Sequence, residues 1–363
     1  MTLKWKKVLV SQETYESASV MDVNNDGVLD IVSGAFWYQG PDFKKKHFLG
    51  PVMADGEYYD DFSTIVMDVN GNGRLDIITG GWWGRNIRWR ENPEKEGTIW
   101  QDHIIDEVGN IETTRAWDID GDGIPEILPN CPCSRDVSFF KLVTDDSGKG
   151  TGEFTKHTIY TFPEGKNQGH GLGCGDIAGN ERMDIILSQG WLEAPEDPLQ
   201  GEWIWHPDFD LGRASVPVLV ADINGDGINE LIVGEAHSYG LDWVEQKIVD
   251  GVRMWTKHPI DPFNAQYHDM KWVDLDGDGE PELLTGKRHR AHCGNEAGEW
   301  DDYGIYYFKW NGESFTKNVI CYGPIGETTG LGIYFDVADL RGTGRLDIVA
   351  PGKDGLYIFY NEG

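Results

Sequence analysis

Acidic loops of one kind recur along the chain and have the spacing of a cation-binding turn. In the first loop, Asp22, Asn24, Asp26 and Asp30 place oxygen-bearing side chains at positions 1, 3, 5 and 9. This spacing wraps hard oxygen ligands around one cation, as in an EF-hand loop without its flanking helices or its glutamate at position 12. It predicts structural calcium, with magnesium as the alternative. The pattern is kept in four further loops: Asp68, Asn70, Asn72 and Asp76; Asp118, Asp120, Asp122 and Glu126; Asp222, Asn224, Asp226 and Glu230; Asp274, Asp276, Asp278 and Glu282.

Two further copies of the loop depart from the pattern. The copy that begins at Asp176 has Ala178 at position 3, and the copy that begins at Asp339 has Arg341 and Thr343 at positions 3 and 5. We expect both copies to be empty. Because carboxylates that face one another need a counter-ion before a turn can close, we expect the ions in the five intact loops to stabilise turns rather than to take part in a reaction.

The ten histidines fall into two groups. One group recurs in a segment of the form Trp/Phe-x-x-His or its equivalent and is interpreted as packing residues: His47, His103, His157, His206 and His258. The other group does not repeat: His170, His237, His268, His289 and His292. Histidine is the commonest zinc ligand, and an open catalytic zinc takes about three protein ligands plus water. Non-repeating histidines that converge on one place therefore favour a zinc site.

The repeated loops indicate the elements that position these residues. Each loop follows an apolar stretch and precedes Asp or Glu with several aliphatic residues, and aromatic segments such as AFWYQG lie between copies. Each period thus contains four short strand candidates separated by turn signals, which is typical of one propeller blade with antiparallel strands A, B, C and D. Seven copies predict an all-β, seven-bladed β-propeller that forms a single domain over residues 1–363.

The two ends of the chain predict how the ring closes. The last copy stops after its third strand, GLYIFYNEG, whereas the chain opens with LKWKKVLV, which resembles a fourth-strand segment. We expect the N-terminal strand to complete blade seven, which leaves no open sheet edge. An open solenoid of the same repeats would need capping units at its ends, and the sequence shows none.

The same topology assigns the remaining chemically active residues to one face. In a four-stranded meander, A-B and C-D turns lie on one face of the disc, and B-C and D-A turns lie on the other. The aspartate loops are A-B turns, whereas the non-repeating histidines lie in B-C or D-A segments. Tryptophans there offer flat surfaces on which sugar rings stack, and polar groups offer partners for hydroxyls. The candidate substrate-binding residues are Trp82, Trp83, Arg115, Trp191 and Gln266; Glu112, Tyr239, Lys287 and Arg288 share this face.

Charge and composition exclude several classes of partner. The formal net charge is -31 and no basic stripe interrupts it, so nucleic acid and membrane surfaces are not expected as partners. The opening segment MTLKWKKVLVSQETYES contains neither a signal peptide nor a spanning helix, which predicts a cytoplasmic protein, although a mature secreted chain would look the same. The cysteines have no framework spacing and are expected to be free thiols: Cys131, Cys133, Cys174, Cys293 and Cys321.

Two known families are similar to this sequence. The Asp-rich copies resemble the FG-GAP/VCBS repeat, which also builds the propellers of integrin α-subunit heads. The segments GHGLGCGD, GEAHSYGLDWVEQ and NAQYHDMKWVDLDGDGEPELLTGKRHRAH resemble the propeller domain of fungal aldos-2-ulose dehydratase, also called pyranosone dehydratase. That family eliminates water from keto-sugars such as glucosone and 1,5-anhydrofructose, and its catalytic zinc lies at the bottom of the propeller cleft.

The resemblance implies a zinc-dependent carbohydrate lyase that performs β-elimination on small keto-sugars or keto-glycosides. From their placement we infer that the zinc ligands are among His170, His237, His268 and His292. The candidates for the catalytic base are Tyr239, His289 or a further histidine, and Lys287 or Arg288 would stabilise negative charge; the sequence does not choose among them.

Two other functions fit the same sequence. Propeller polysaccharide lyases also perform β-elimination with His, Tyr and Arg, but they are normally exported, and no export signal is present here. A non-catalytic, calcium-stabilised, integrin-like binding propeller would carry aromatic and acidic residues at its mouth rather than clustered histidines. Metal analysis separates these possibilities, because a binding propeller should contain calcium without zinc.

Overall fold

The computed structural model describes residues 3–95, 97–292 and 294–363. Over these residues the regular structure is entirely β-sheet, and no helix has the length and apolar character needed to cross a membrane. The four cysteines described are free thiols, and Cys293 lies outside the described residues. The strands are β1 Trp5–Ser11, β2 Ser19–Met21, β3 Asp30–Ser33, β4 Phe36–Gln39, β5 Lys45–Phe48, β6 Ala54–Asp55, β7 Tyr58–Tyr59, β8 Ile65–Met67, β9 Asp76–Gly80, β10 Ile87–Glu91, β11 Gln101–Asp106, β12 Thr113–Trp117, β13 Glu126–Asn130, β14 Asp136–Thr144, β15 Gly150–Thr161, β16 Leu172–Gly175, β17 Asp184–Leu187, β18 Gly190–Glu193, β19 Ile204–His206, β20 Leu219–Ala221, β21 Glu230–Gly234, β22 Leu241–Val249, β23 Val252–Pro259, β24 Tyr267–Val273, β25 Glu282–Lys287, β26 Tyr303–Trp310, β27 Phe315–Gly323, β28 Asp336–Ala338, β29 Asp347–Ala350 and β30 Leu356–Asn361.

The strands form seven four-stranded antiparallel sheets, which are the blades of a propeller. Blades 1 to 6 contain β2–β5, β8–β11, β12–β15, β16–β19, β20–β23 and β24–β27, each in sequential order. Blade 7 contains β28, β29, β30 and the N-terminal strand β1, which pairs antiparallel with β30. The short hairpin of β6 and β7 lies between blades 1 and 2. The all-β, seven-bladed fold that the repeats predict is therefore confirmed.

Burial along the strands explains the sequence pattern of each blade. Strand B is buried at every residue in β9, β13, β21 and β25, because both of its faces pack against other parts of the ring. Such a strand reads as a continuous apolar run rather than as an alternation. The outer strands β15 and β23 alternate between exposed and half-buried residues, as expected for strands that face water on one side.

The recurring histidines pack the outer strand of a blade onto strand C. His47 stacks on Trp37 with ring centroids 3.9 Å apart, and His103 stacks on Trp89 at 4.3 Å. Nε2 of His103 also lies 2.8 Å from a carboxylate oxygen of Glu91. The same stacking recurs in the pairs Phe139 and His157, Trp191 and His206, and Trp243 and His258. These histidines are structural, in agreement with their periodic placement.

Deletion of residues 1–11 should destabilise the fold. Without β1, the outer edge of β30 presents unpaired backbone groups to water and to other chains. We expect a lower melting temperature by calorimetry and more aggregation on heating by light scattering. The control Lys6→Ala alters only an exposed side chain of β1 and should stay within about 0.5 kcal/mol of the parent. A truncated chain with the parental melting temperature would show that β1 contributes nothing to closure.

Candidate functional site

A cavity of about 420 Å³ opens on one face of the propeller. Its lining residues come from segments between strands B and C or between strand D and the next strand A, whereas the aspartate loops connect strands A and B. The cavity therefore lies on the face opposite the aspartate loops. It is lined by Tyr58, Phe62, Trp82, Trp83, Glu112, Pro132, His170, Arg213, His237, Arg288 and His292.

Four consecutive blades each contribute one side chain to a cluster at this cavity. Glu112 directly precedes β12 of blade 3, and His170 lies just before β16 of blade 4. His237 follows β21 of blade 5, and His268 lies near the start of β24 in blade 6. One potential ligand atom from each residue lies within 4.8 Å of the others. Strand A is the innermost strand of a blade, so its start brings distant residues together near the propeller axis.

The three imidazoles surround the Glu112 carboxylate. The ring centroid of His170 is 4.4 Å from that of His237 and 5.2 Å from that of His268. Nε2 of His170 is 3.3 Å from Oε1 of Glu112, and Nε2 of His268 is 3.1 Å from the same oxygen. Three imidazoles with one carboxylate form a donor set that suits zinc, iron, nickel or copper better than calcium.

The hydrogen bonds around the cluster leave ring nitrogens available to a metal. Nδ1 of His170 lies 2.7 Å from the carbonyl oxygen of Ala214 and donates to it, which orients Nε2 toward Glu112. Nδ1 of His237 lies 2.9 Å from Oε2 of Glu296. Nε2 of both histidines is buried and has no hydrogen-bond partner among the described residues. The residues fit a metal ion, because buried polar atoms require a partner and because carboxylate or carbonyl contacts of this kind orient metal-binding histidines.

The protonation states at the cluster also suit metal binding. Burial alone would raise the pKa of Glu112, but His170 and His268 hold this pKa well below its ordinary value. Burial and the nearby Arg288 lower the pKa of His268 to about 3. Burial and His170 lower the pKa of His237. At neutral pH the carboxylate is therefore ionised and these two imidazoles are neutral, as metal ligands must be.

Arg288 connects the cluster to a second buried carboxylate. Its Nε donates to Oε1 of Glu16 at 2.9 Å, and its Nη1 lies 3.7 Å from Oε1 of Glu112. Arg288 and Glu16 are 1% and 4% exposed. Removal of one partner from a buried ion pair typically costs about 3–5 kcal/mol, since the remaining charge has lost its counter-ion. Arg288 thus stabilises the charged wall of the cavity, as well as lining it.

Aromatic side chains form another part of the cavity wall. Trp83 contacts Tyr58 and Phe62, with ring centroids 5.2 Å and 5.8 Å apart. Tyr58, from the β6–β7 hairpin, donates its hydroxyl to the carbonyl oxygen of Ala291 at 2.7 Å. Trp82 and Trp83 line the cavity where the sequence placed candidate substrate-binding residues. Flat apolar surface beside a few charged groups is typical of a site for a small polar ring compound.

Arg115, which the sequence placed among the candidate substrate-binding residues, does not line the cavity. It is buried and reaches across the propeller axis, where it donates to Oδ1 of Asp269 at 2.7 Å and to the carbonyl oxygens of Val216 and Ile333. Its guanidinium also lies over the ring of Tyr334, 4.5 Å from the centroid. These partners belong to several blades, so Arg115 holds the ring together at its axis.

Trp191 and Gln266, also predicted to bind substrate, do not line the cavity either. Trp191 is 1% exposed, stacks on His206, and donates its indole N–H to Asp208 at 3.0 Å. Gln266 is fully buried at the residue before β24 and has a φ of 60°.

Three of the four side chains predicted to be catalytic do not line the cavity. The hydroxyl of Tyr239 donates to Oδ2 of Asp301 at 2.7 Å, and the ammonium of Lys287 donates to the backbone carbonyl of Asp301 at 2.9 Å. His289 is buried within blade 6, and burial lowers its pKa to about 4. These residues hold the loop after β25 in place. Only Arg288 of the predicted set reaches the cavity.

His292 lines the cavity but lies outside the cluster of Glu112 and the three other histidines. Its Nδ1 is 2.8 Å from Oε1 of Glu296, and its ring stacks on His237 with centroids 4.5 Å apart. Sequence reasoning missed Glu296 because this residue lies in an irregular loop without a repeat. From the sequence, Glu112 was assigned to the correct face but was not predicted to be a metal ligand. A signal for Glu112 was its position just before strand A, where His170 also stands in the next blade.

The aspartate loops are closed by hydrogen bonds to their own backbone. In blade 1, Asp22 accepts from the amides of Asp26 at 3.1 Å and Gly27 at 2.8 Å, and Asp30 accepts from the amide of Val23 at 3.0 Å. Gly27 has a φ of 83°, which favours glycine at this turn. The same bonds recur in blades 2 and 5. The carboxylates thus shape the loops, and calcium binding there stays a prediction.

Fold and site together define a seven-bladed β-propeller with an FG-GAP-like repeat and, at the opposite face, a non-repeating cluster of Glu112 and three histidines. The sequence profile of the FG-GAP-like repeat matches residues 68–128, which include the aspartate loops of blades 2 and 3. A comparison with curated proteins gave no match. The profile match and the fold identify the repeat and the propeller scaffold, and they assign no function to the chain.

Solved structures share the propeller with low sequence identity. BBS1N, in its complex with ARL6DN, aligns with a TM-score of 0.51 at 10% identity over 98% of this chain and 96% of that chain. A lectin from Agrocybe aegerita that recognises non-reducing terminal N-acetylglucosamine aligns with a TM-score of 0.49 at 15% identity over 99% of this chain and 86% of that chain. Rhamnogalacturonan lyase YesW aligns with a TM-score of 0.49 at 14% identity over 98% of this chain and 72% of that chain. At such identities the likeness concerns the fold alone.

Replacement of His170, His237 or His268 by Ala should reduce the zinc bound per chain, because each change removes one imidazole from the cluster. The readout is elemental analysis after equilibration with limiting zinc. His157→Ala is the matched control, since that histidine packs on Phe139 in the outer part of blade 3. Full zinc content in all three variants would place the metal elsewhere.

Glu296→Ala should weaken zinc binding by about 10–100-fold, because loss of a carboxylate that orients a ligating histidine has effects of that size. Glu296→Gln should weaken it less, since the amide oxygen still accepts from Nδ1 of His237. Competition with a chromophoric chelator measures both affinities. Glu313→Ala, an exposed change in the same blade, is the control. Parental affinity in Glu296→Ala would show that Glu296 does not orient His237.

Proposed function

We propose that this protein is a metal-dependent carbohydrate lyase that performs β-elimination on keto-sugars or keto-glycosides. The observation that carries the proposal is the convergence of Glu112, His170, His237 and His268 beside an aromatic-lined cavity. Four donor groups from four blades have no common role in the repeat, so the repeat does not account for them. A buried cluster of metal-binding type at a cavity is the expected form of a site on a repetitive scaffold.

The cluster residues would hold a metal, for which we propose zinc. A bound zinc ion supplies Lewis acidity, which makes the hydrogen on the carbon next to a sugar ketone easier to remove. The ionised Glu112 and the neutral His237 and His268 are ready to ligate without first losing a proton. Burial of the cluster excludes bulk water and strengthens electrostatic interactions with a bound ketone.

His292 is the side chain that we propose as the base. It lines the cavity, and the contact of its Nδ1 with Glu296 leaves Nε2 to accept a proton. In the elimination, the base takes the proton on the carbon next to the ketone, the electron pair of that C–H bond forms the C=C bond, and the β-oxygen leaves with the electrons of its C–O bond. Protonation of this oxygen releases water from a keto-sugar, or the free sugar that was linked through this oxygen in a keto-glycoside.

The rest of the cavity suits the remaining parts of a sugar. Trp82 and Trp83 offer flat surface to the apolar face of a pyranose ring. Arg213, whose Nη1 lies 2.9 Å from Oε1 of Glu296, and the buried Arg288 supply positive charge near the developing negative charge. Both arginines are already paired with carboxylates, which favours a neutral keto-sugar over a polyanionic chain as the substrate.

A substrate assay tests the proposal. The zinc-loaded protein should produce the conjugated-enone absorbance from 1,5-anhydrofructose or glucosone, and His292→Gln should slow this reaction by about 10²–10⁴-fold while zinc stays bound. Tyr239→Phe should keep the parental rate, because Tyr239 lies outside the cavity. Preferential cleavage of a uronate polymer would favour a polysaccharide lyase. Zinc binding without reaction on any of these compounds would contradict the proposed chemistry.

A further inference from the structure

Two of the intact aspartate loops contain a lysine at their centre. In blade 3, Lys141 on β14 directly follows Phe140, which pairs with Ile127 on β13. In blade 6, Lys309 on β26 directly follows Phe308, which pairs with Leu283 on β25. Strand C therefore places both lysines beside the carboxylate at loop position 9.

The ammonium groups bind the loop carboxylates directly. Nζ of Lys141 lies 2.6 Å from Oδ2 of Asp120, 2.6 Å from Oδ2 of Asp122 and 3.0 Å from Oε1 of Glu126. These carboxylates occupy loop positions 3, 5 and 9, which are the positions expected to ligate calcium. One ammonium with three donors thus contacts three of the four side chains that would surround the ion.

Blade 6 repeats this arrangement in detail. Nζ of Lys309 lies 2.5 Å from Oδ2 of Asp276, 2.9 Å from Oδ2 of Asp278 and 2.9 Å from Oε1 of Glu282. Blades 3 and 6 are three blades apart in the ring of seven, and their loops share this set of contacts. Because the same contacts occur twice, we interpret the lysine as a regular part of these two loops.

The other loops lack a lysine at this position of strand C. The equivalent residues carry an oxygen in each case: Gln39, Glu91, Glu193, Glu245 and Tyr360 in blades 1, 2, 4, 5 and 7. In blade 7 the cation comes from loop position 3 instead, since Arg341 donates to Oδ1 of Asp347 at 2.8 Å.

The two loops that contact a lysine also have the most negative ligand sets among the five intact loops. The loops of blades 3 and 6 have a carboxylate at all four ligand positions, whereas the intact loops of blades 1, 2 and 5 each include at least one asparagine. Calcium takes 6–8 oxygen ligands at about 2.3–2.6 Å and cannot share the centre of a loop with an ammonium. The carboxylates of these two loops lie close enough together to hold a cation, and in the structure the lysine ammonium occupies that position.

We propose that Lys141 and Lys309 are built-in cations that replace calcium in blades 3 and 6, so that calcium binding is confined to blades 1, 2 and 5. A covalently attached ammonium closes a loop at any calcium concentration. The two kinds of loop make part of the ring dependent on calcium and part of it independent.

Lysine substitutions test this division of the loops. We expect Lys141→Gln and Lys309→Gln each to bind one more calcium per chain than the parent, and the double variant two more, because the freed carboxylates gain room for the ion. In EGTA both single variants should melt below the parent, and calcium should reverse the loss. Lys156→Gln, which breaks a partly exposed pair with Asp106, is the control and should change neither quantity. The measurements are elemental analysis, which separates calcium from zinc, and calorimetry.

Substitutions in the loops themselves give a second test that does not depend on the lysine variants folding. In the otherwise parental chain, Asp26→Ala in blade 1 should reduce the calcium bound per chain, because alanine supplies no oxygen ligand, whereas Asp122→Ala in blade 3 should leave it unchanged. Loss of one calcium on Asp122→Ala would overturn the proposal, because it would show that calcium already binds beside Lys141. Parental calcium content in Lys141→Gln and Lys309→Gln would overturn it as well.

Discussion

The interaction on which the site depends is the contact of the buried Glu112 carboxylate with the imidazoles of His170 and His268. A buried carboxylate is costly unless it is paired and hydrogen-bonded. Glu112 is 5% exposed and has both rings within 3.3 Å, with Arg288 beyond them. These contacts keep the carboxylate ionised, connect blades 3, 4 and 6 at the axis, and bring ring nitrogens together beside the cavity.

The propeller makes this contact possible by its geometry. Side chains at the start of strand A converge on the axis, so residues far apart in sequence meet without any long connecting segment. Below them, Arg115 ties several blades together across the axis. The loops after strand B then cover the cluster, and Glu296 in the loop of blade 6 reaches His237 of blade 5.

The repetitive part of the molecule could be predicted from sequence, and the irregular part only in outline. Periodic loops and aromatic segments specify the strands, because every blade packs the same four-stranded arrangement against its neighbours. Topology then placed His170, His237 and His268 on one face, and the structure brings them together. It could not place Tyr239 or Trp191, since a side chain near the mouth can turn into the core or toward a loop partner. Lys141 was missed because its partner carboxylates are contributed by another strand and its loop.

X-ray diffraction from crystals grown with zinc, recorded above and below the zinc absorption edge, tests the central claim most directly. The account predicts one strong anomalous peak within coordination distance of Nε2 of His170, Nε2 of His237, His268 and Glu112, on the face opposite the aspartate loops. Zinc bonds to these donors are about 2.0–2.2 Å long, so the ligands would be identified without ambiguity. A fully loaded crystal with no peak at this cluster, or with its zinc peak at the aspartate loops, would contradict the account.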